Sequence, residues 1–403
     1  MASHYREAAK CLKAVDGGRT TLKTAAYKTQ NPPRTVALVS EARRHRRALE
    51  TAIAATGLRT KAGGDNSMLL LAVYDAVAGT SAPKCGGKMM KAIREALPAL
   101  KAVFAAARTA PEQPKVEKLR YLRCNLLTTS RKEARAKLEA LGIHADEDED
   151  LDDLLVTRAT VHGGHAMVLS GEFVLQDKSS CFPAHALLDG LAPDWRGDVV
   201  DACAAPGNKT THCAALLRGR GQVVAVDRDP KRLKVLETRV EEARACDGVT
   251  PTCGDFLRMR HDEARCILVD PSCSGGFETD GESLTSERLA GLAAFQGKIL
   301  EAALTRFPRA ERVSYSTCSI HEEEDEAVVA RALASPEVQA GGWRLAPALP
   351  AWARRGRPHV GLDLAQSDCL ARAEPAADRT GAFFVALFER AAPGGAARKR
   401  RRG

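Results

Sequence analysis

Two cysteines in this 403-residue chain stand where a thiol could act on a bound substrate. Cys318 ends a β-like run, Val313-Ser-Tyr-Ser-Thr-Cys-Ser319, just before an acidic, helix-favouring run at 322–326. Cys273 follows the turn Asp270-Pro271-Ser272 after another apolar run. In open α/β sheets, ligands bind outside the carboxyl ends of the strands, and both thiols fall there. The thiolate is the reactive form and must be generated from a group of pKa about 8.5. A helix N-terminus favours it, whereas the acidic run opposes it at Cys318. Such a thiolate can add to carbon 6 of a pyrimidine and make carbon 5 enamine-like, able to accept a methyl group. Asp270 is placed to hydrogen-bond the cytosine edge and support protonation at the ring nitrogen. Amino-group methylation would call for an aromatic residue after the Asp-Pro turn, to stack the base. Ser272 and Cys273 stand there instead, which disfavours exocyclic-amine chemistry. The base would have to be flipped out or single-stranded to reach this site. Which cysteine attacks is left open by these residues alone. Cys203, Cys213, Cys246, Cys253 and Cys266 read as packing or loop residues, as most cysteines are.

A methyl donor is suggested upstream. The run Asp198-Val-Val-Asp-Ala-Cys-Ala-Ala-Pro-Gly-Asn208 takes an apolar strand into small residues and then a helix start. Small residues let the backbone approach a ligand, and a helix N-terminus offers free N–H groups. The pattern is not the GxGxxG of dinucleotide binders. Asp227 ends the next apolar run 20 residues after Gly207, where an acid can accept both ribose hydroxyls of an adenosine. Asp255 would follow the third strand, near the adenine. The ordered set of loop, ribose acid, third-strand acid and Asp-Pro-Ser-Cys points to S-adenosylmethionine.

These residues need a frame. From residue 171 onward, strands are expected at 198–202, 222–227, 266–270, 312–316 and 383–389, with helices at 209–217, 231–245, 287–307 and 323–333. That alternation specifies a doubly wound, mostly parallel sheet. The last strand, after a broken segment at 334–380, would enter as an antiparallel edge. Residues 116–170 read as a small α+β unit, with strands at 119–127, 156–160 and 166–169, a helix at 130–141, and an exposed acidic loop or helix start at 146–153. Residues 1–115 read as a helical domain, with an N-cap cluster at Asp65-Asn66-Ser67 and a helix at 88–108 kinked or broken at Pro98. Residues 393–403 are expected to form a basic, disordered tail.

The totals agree with a soluble globular chain: 44% hydrophobic, 28% charged, net charge +9. The charge leans towards an anionic partner such as RNA or DNA, although aromatics at 4% leave few stacking platforms. Between residues 84 and 137, 14 Lys/Arg face 4 Glu, either a phosphate-contacting surface or a solvated helix face. No apolar run is long enough to span a membrane, and the N-terminus lacks the pattern of a secretory leader. The twelve cysteines form no CxxC pair, so reduced thiols and no metal site are expected.

Taken together, Leu175-Gln-Asp-Lys-Ser-Ser-Cys181, Asp201-Ala-Cys-Ala-Ala-Pro-Gly-Asn-Lys-Thr210, Asp270-Pro-Ser-Cys-Ser-Gly275 and Tyr315-Ser-Thr-Cys-Ser319 resemble the Sun-domain (NSUN) RNA cytosine-5 methyltransferases in order and spacing. Arg123-Cys-Asn125 and Leu345-Ala-Pro-Ala-Leu-Pro-Ala-Trp352 extend the match. The Asp-Pro-Ser-Cys wording, the Leu-Pro-Ala-Trp region and the helical N-terminus look most like the branch that modifies large-subunit rRNA. The resemblance implies a Rossmann-like class I methyltransferase domain with a seven-stranded sheet at 171–392, preceded by an RRM-like module and a helical RNA-binding or accessory domain. It implies S-adenosylmethionine as cofactor, held by Cys203, Ala204, Ala205, Pro206, Gly207, Asn208, Lys209, Asp227, Arg232, Asp255 and Asp270. Arg232 could equally cap a surface acid. It implies that Cys318 attacks the base and that Cys273 assists release, with Asp270 as the third catalytic residue. The implied partner is rRNA or a pre-ribosome, with the chain acting as a monomer in ribosome biogenesis, nucleolar if the source is eukaryotic and otherwise cytoplasmic. The alternatives are a tRNA or other RNA substrate, a non-catalytic ribosome-assembly factor, and a DNA enzyme with Cys273 as nucleophile. The chain departs from the family pattern at Gly276-Phe277 and at Gly381-Ala382-Phe383-Phe384.

Overall fold

The computed structural model describes residues 2–17, 22–78, 86–107, 119–275 and 284–390. The boundary expected near 115, the Gly276-Phe277 departure, the basic tail and part of the 84–137 stretch lie outside them. The chain divides into two compact units, 1–116 with 278–288, and 117–277 with 289–403.

The first unit is helical. Helices Ala2–Asp16, Pro32–Arg44, Arg46–Ala55, Asn66–Ala78 and Lys88–Ala107 pack around Leu12, Val39, Leu49, Ile53, Leu71, Ile93 and Leu100. Asp65 caps its helix by accepting from the Ser67 and Met68 N–H groups, as its side-chain chemistry favours. Pro98 does not end its helix, which runs on to Ala107.

The second unit contains two sheets. The smaller is built from β1 (Arg120–Cys124), β2 (Asp146–Glu147), β3 (Leu154–Thr157) and β4 (Phe173–Leu175), in the order β2-β3-β1-β4. Two local expectations change here. Residues 166–169 form a short helix, not a strand, and β4 lies beyond residue 170 and completes the small sheet by pairing with β1. Ala166–Leu169 is one helical turn capped by the His165 side chain, and of its apolar residues only Met167 is buried. The acidic stretch is also less exposed than its composition suggests. Asp148 and Asp153 are buried, and Lys178 closes on Asp148 at 2.9 Å.

The larger sheet follows the path β7-β6-β5-β8-β9-β12-β10. Its strands are β5 (Asp198–Asp201), β6 (Val223–Asp227), β7 (Val249–Cys253), β8 (Ala264–Val269), β9 (Arg312–Thr317), β10 (Arg344–Ala346) and β12 (Phe383–Glu389). An eighth strand, β11 (Ala371–Ala373), pairs with β12 off that path. Strands β5 to β9 are mutually parallel, and β6 and β8 read as nearly continuous apolar runs because helices cover both faces. β12 is antiparallel as expected, but it is not an edge: it lies between β9 and β10. The chain winds outward from β5 in one direction through β6 and β7, then returns to build β8 and β9 on the other side. The β5–β8 boundary is therefore the topological switch point, where such sheets bind ligands.

The two sheets share one core. Tyr121, Leu151 and Leu154 of the small module pack with Phe182, Trp352, Phe383 and Val385. Buried Arg123 of β1 donates to Gln176 at 2.9 Å and to Thr211 at 3.0 Å. Asn125 donates to the carbonyls of Gly171 and Ala243. Both residues tie the module to the helices that back the larger sheet. Among the described residues, no helix is long and apolar enough to cross a membrane.

Candidate active site

At the switch point β5 passes into Ala202–Gly207 and then into the helix Asn208–Leu217. Gly207 has φ 108°, a left-handed conformation that glycine adopts without the steric cost borne by other residues. A side chain there would also press on Leu236 and Arg239 of the next helix, at 3.3 Å. Asp227, at the end of β6, is buried and reaches across to the loop, accepting from the Ala205 N–H at 3.3 Å. Arg232 settles on both partners, donating to the Ala205 carbonyl at 2.5 Å and lying 3.4 Å from Asp227. It thereby braces the loop against Asp227. Asp255 follows β7 at the same sheet edge and closes its own turn through the Leu257 N–H at 3.0 Å.

Sequence reasoning passed over Asp201 as a site residue. It ends β5, is fully buried, and accepts from Thr210 Oγ1 at 2.7 Å, while its Oδ1 has no hydrogen-bond partner among the described residues. Burial pushes its carboxyl up to about 7; Asp270 adds to the rise, and Thr210 and Lys209 oppose it. A strand-end acid among small residues was the available signal. The tight glycine, the small loop and this orphaned oxygen fit a ligand that packs against backbone and presents polar or cationic groups, as S-adenosylmethionine does.

Asp270 follows β8. Its Oδ1 accepts from Ser316 at 2.7 Å, and its Oδ2 pairs with the Lys209 ammonium at 2.8 Å. Lys209 also donates to Ser180 at 3.2 Å and lies 5.3 Å from the centre of the Phe383 ring. The residue assigned to the cofactor loop therefore connects that loop to the catalytic side. Cys318 follows β9, and its Sγ lies 3.1 Å from Cys273 Sγ. Cys273 is buried, whereas Cys318 is partly exposed. The hydrogen bond to Cys318, with burial second, holds the Cys273 thiol well above the ordinary cysteine range. Cys273 thus stays protonated, within hydrogen-bond distance of the Cys318 sulfur.

The acidic run after Cys318 is tied down. Asp325 accepts from Thr317 at 2.5 Å and from Arg372 at 2.8 Å, and Glu326 takes two bonds from Arg372 at 2.6 and 2.7 Å. Glu324 is buried against the residues that follow each cysteine. The fold brings Cys273, Cys318, Asp270 and Lys209 together and sets Asp201, Asp227 and the small loop along the same edge.

A second polar cluster was not foreseen. Asp153 receives His185 Nε2 at 2.9 Å and His212 Nε2 at 2.7 Å, all three buried. These are the residues whose spacing could hold a metal among the described ones. Each Nε2 instead faces its own carboxylate oxygen at hydrogen-bond distance.

The family model described as 16S rRNA methyltransferase RsmB/F matches residues 189–389. The mouse 28S rRNA (cytosine-C(5))-methyltransferase is 36% identical, over 96% of this chain and 91% of the relative. The Arabidopsis thaliana 25S rRNA (cytosine-C(5))-methyltransferase NSUN5 is 33% identical, over 96% of this chain and 72% of the relative. A methyltransferase homologue from Pyrococcus horikoshii superposes with TM-score 0.56 at 24% identity, covering 76% of this chain and 96% of the other. NSun6 from the same organism, solved with SFG, also gives TM-score 0.56, at 19% identity over 68% of this chain and 92% of the other. Those two structures support the Rossmann-like class I fold. The chain belongs to the Sun-domain family of S-adenosylmethionine-dependent RNA cytosine-5 methyltransferases, in the branch of the large-subunit rRNA enzymes.

Proposed function

We propose that this chain makes 5-methylcytosine in large-subunit rRNA, with Cys318 as the nucleophile and Cys273 as the thiol that assists release. The observation that carries the reading is the contact between the two sulfurs, 3.1 Å apart beside the cofactor edge. S-adenosylmethionine, when bound, supplies the methyl group on a sulfonium centre. The residues fit to hold it are Cys203–Lys209, Asp227 and Asp255, with Asp201 and Asp270 lending negative charge. The Cys318 thiolate adds to carbon 6 of the cytosine, and the electron pair pushed to carbon 5 would form the new carbon–methyl bond as the methyl–sulfur bond of the donor breaks, its pair staying on the donor sulfur. Loss of the carbon 5 proton and cleavage of the S–C6 bond then restore the ring. Asp270, steadied by Lys209 and Ser316, keeps spare lone pairs for the base edge. Cys273, buried and protonated, acts at the elimination step.

The helical first unit serves RNA binding, and the chain works as a monomer on rRNA or a pre-ribosomal particle, in the nucleolus if the source is eukaryotic. Purified protein, S-adenosylmethionine and large-subunit rRNA transcripts, read by bisulfite sequencing, test the reaction. Methylation at one cytosine is expected. Methylation of tRNA in preference to rRNA would move the substrate assignment, and no turnover on either RNA would overturn the enzymatic reading.

A further inference from the structure

Ser274 follows Cys273 directly, and Ser319 follows Cys318. One buried carboxylate, Glu324, holds both serines. From the Cys273 loop it accepts the Ser274 N–H at 3.0 Å and the Ser274 hydroxyl. From the Cys318 loop it accepts the Ser319 hydroxyl at 2.5 Å. The two hydroxyls also touch each other at 3.1 Å. Gln296 adds a third anchor, its Nε2 donating to Glu324 at 2.8 Å and to the Ser272 carbonyl at 3.1 Å. Glu324 is fixed from behind as well, since Tyr315 of β9 donates to its backbone carbonyl at 2.5 Å.

A buried carboxylate survives only where donors satisfy it, and hydrogen bonds to an ionised acceptor are about twice as strong as neutral ones. These donors come from three separate segments and converge on the residues next to both sulfurs. We propose that Glu324 is a positioning residue that sets the separation of Cys273 and Cys318 by clamping Ser274 and Ser319. The proposal deepens the two-thiol reading above and rests on it. Glutamine is nearly the same size but must turn its NH2 either towards the Ser274 N–H and Gln296 amide, which only donate, or towards the two serine hydroxyls, which must then reverse and accept; either way the ionised acceptor is lost, so Glu324→Gln weakens the clamp without opening a cavity.

The test has one readout that needs no turnover. Oxidised glutathione is added to the full-length protein. One thiolate displaces glutathione to form a mixed disulfide, and the second thiol, losing its proton, displaces the remaining glutathione to close Cys273–Cys318. Peptide mass spectrometry follows closure, seen as the loss of two hydrogens. The Glu324 charge opposes thiolate formation at Cys273, so charge removal alone would speed closure. The clamp predicts the reverse: closure about tenfold or more slower in Glu324→Gln. On rRNA transcripts, kcat should fall by about tenfold or more, with KM for RNA and for S-adenosylmethionine within about twofold, since a misplacement near 1 Å can cost about 100-fold. A merely structural loss would not separate kcat from KM in this way. Ser274→Ala with Ser319→Ala removes the hydroxyl arms, keeps the carboxylate, and decides the matter if Glu324→Gln fails to fold. Unchanged or faster closure in the folded variant overturns the clamp. A wild-type protein that closes the disulfide but methylates nothing overturns the underlying functional reading, and the effect of Glu324→Gln on closure still decides the clamp.

Discussion

At Cys318, the question raised by the neighbouring acids is how a thiolate forms among them. The answer lies in where each carboxylate points. Asp325 and Glu326 are drawn to the Arg372 guanidinium, and Glu324 is occupied by neutral donors on the cysteine loops. The Cys273 thiol, held protonated by this contact and by burial, lies against the Cys318 sulfur and can donate to it. Cys273→Ser should therefore leave addition intact and block release. Denaturing gels of the mutant with rRNA transcript should show a covalent RNA–protein band that Cys318→Ser lacks. A band with Cys318→Ser and none with Cys273→Ser would exchange the two roles. Arg372 offers a stability test of the same arrangement. It is buried, and Arg372→Met leaves two buried carboxylates without their cation. Breaking a buried pair from one side costs about 3–5 kcal/mol, and urea unfolding of the mutant should register a loss of that order.

At the scale of elements, the motif-bearing strand ends were legible because chemistry and periodicity coincide there. β5 and β6 end at Asp201 and Asp227, and β8 and β9 end one residue before Asp270 and Cys318. β7 was less legible: Pro251 sits in its middle, which marks it as the edge strand it is. The strands β10 and β11 are three residues each, too short to show a period. The Asp153–His185–His212 cluster could not be read at all, since its members lie 32 and 27 residues apart and meet only when the module docks on the helices Lys178–Leu188 and Asn208–Leu217. Its titration is testable. His185 loses by burial but gains more from Asp153 and Asp189, and its pKa rises to about 10. His212 is lowered by burial to about 4 and stays neutral, donating through Nε2 and leaving Nδ1 bare. A raised histidine contributes stability that is complete below its unfolded value of about 6.5 and is lost as pH climbs through about 10. A lowered one contributes above about 6.5 and loses it as pH falls towards 4. Urea unfolding should therefore show stability declining on both sides of about pH 6.5 from these two groups. His185→Gln should flatten the alkaline limb and leave the acid limb in place. An unchanged alkaline limb would mean that His185 is neutral in the folded chain.

For the whole molecule, the net charge of +9 has to act against a phosphate backbone if the substrate is rRNA. Neutralising phosphates releases counterions, so the logarithm of affinity falls linearly with the logarithm of salt, by about 0.7–0.9 per contact. The helix Lys88–Ala107 carries Lys88, Lys91 and Lys101 on exposed positions, and the Lys91–Glu95 pair at 4.0 Å is too open to neutralise its lysine. The same charges could instead do no more than keep a helix face solvated. The two roles separate under salt. If this face meets RNA, Lys88→Glu with Lys91→Glu and Lys101→Glu should weaken binding of an rRNA fragment by about tenfold or more at low salt. The salt slope should shrink by about 2–3, so that wild-type and mutant affinities converge as salt rises. Filter binding across a salt series measures both quantities. Parallel salt lines for the two proteins would leave these lysines as solvated charge and place the RNA-contacting surface elsewhere on the chain.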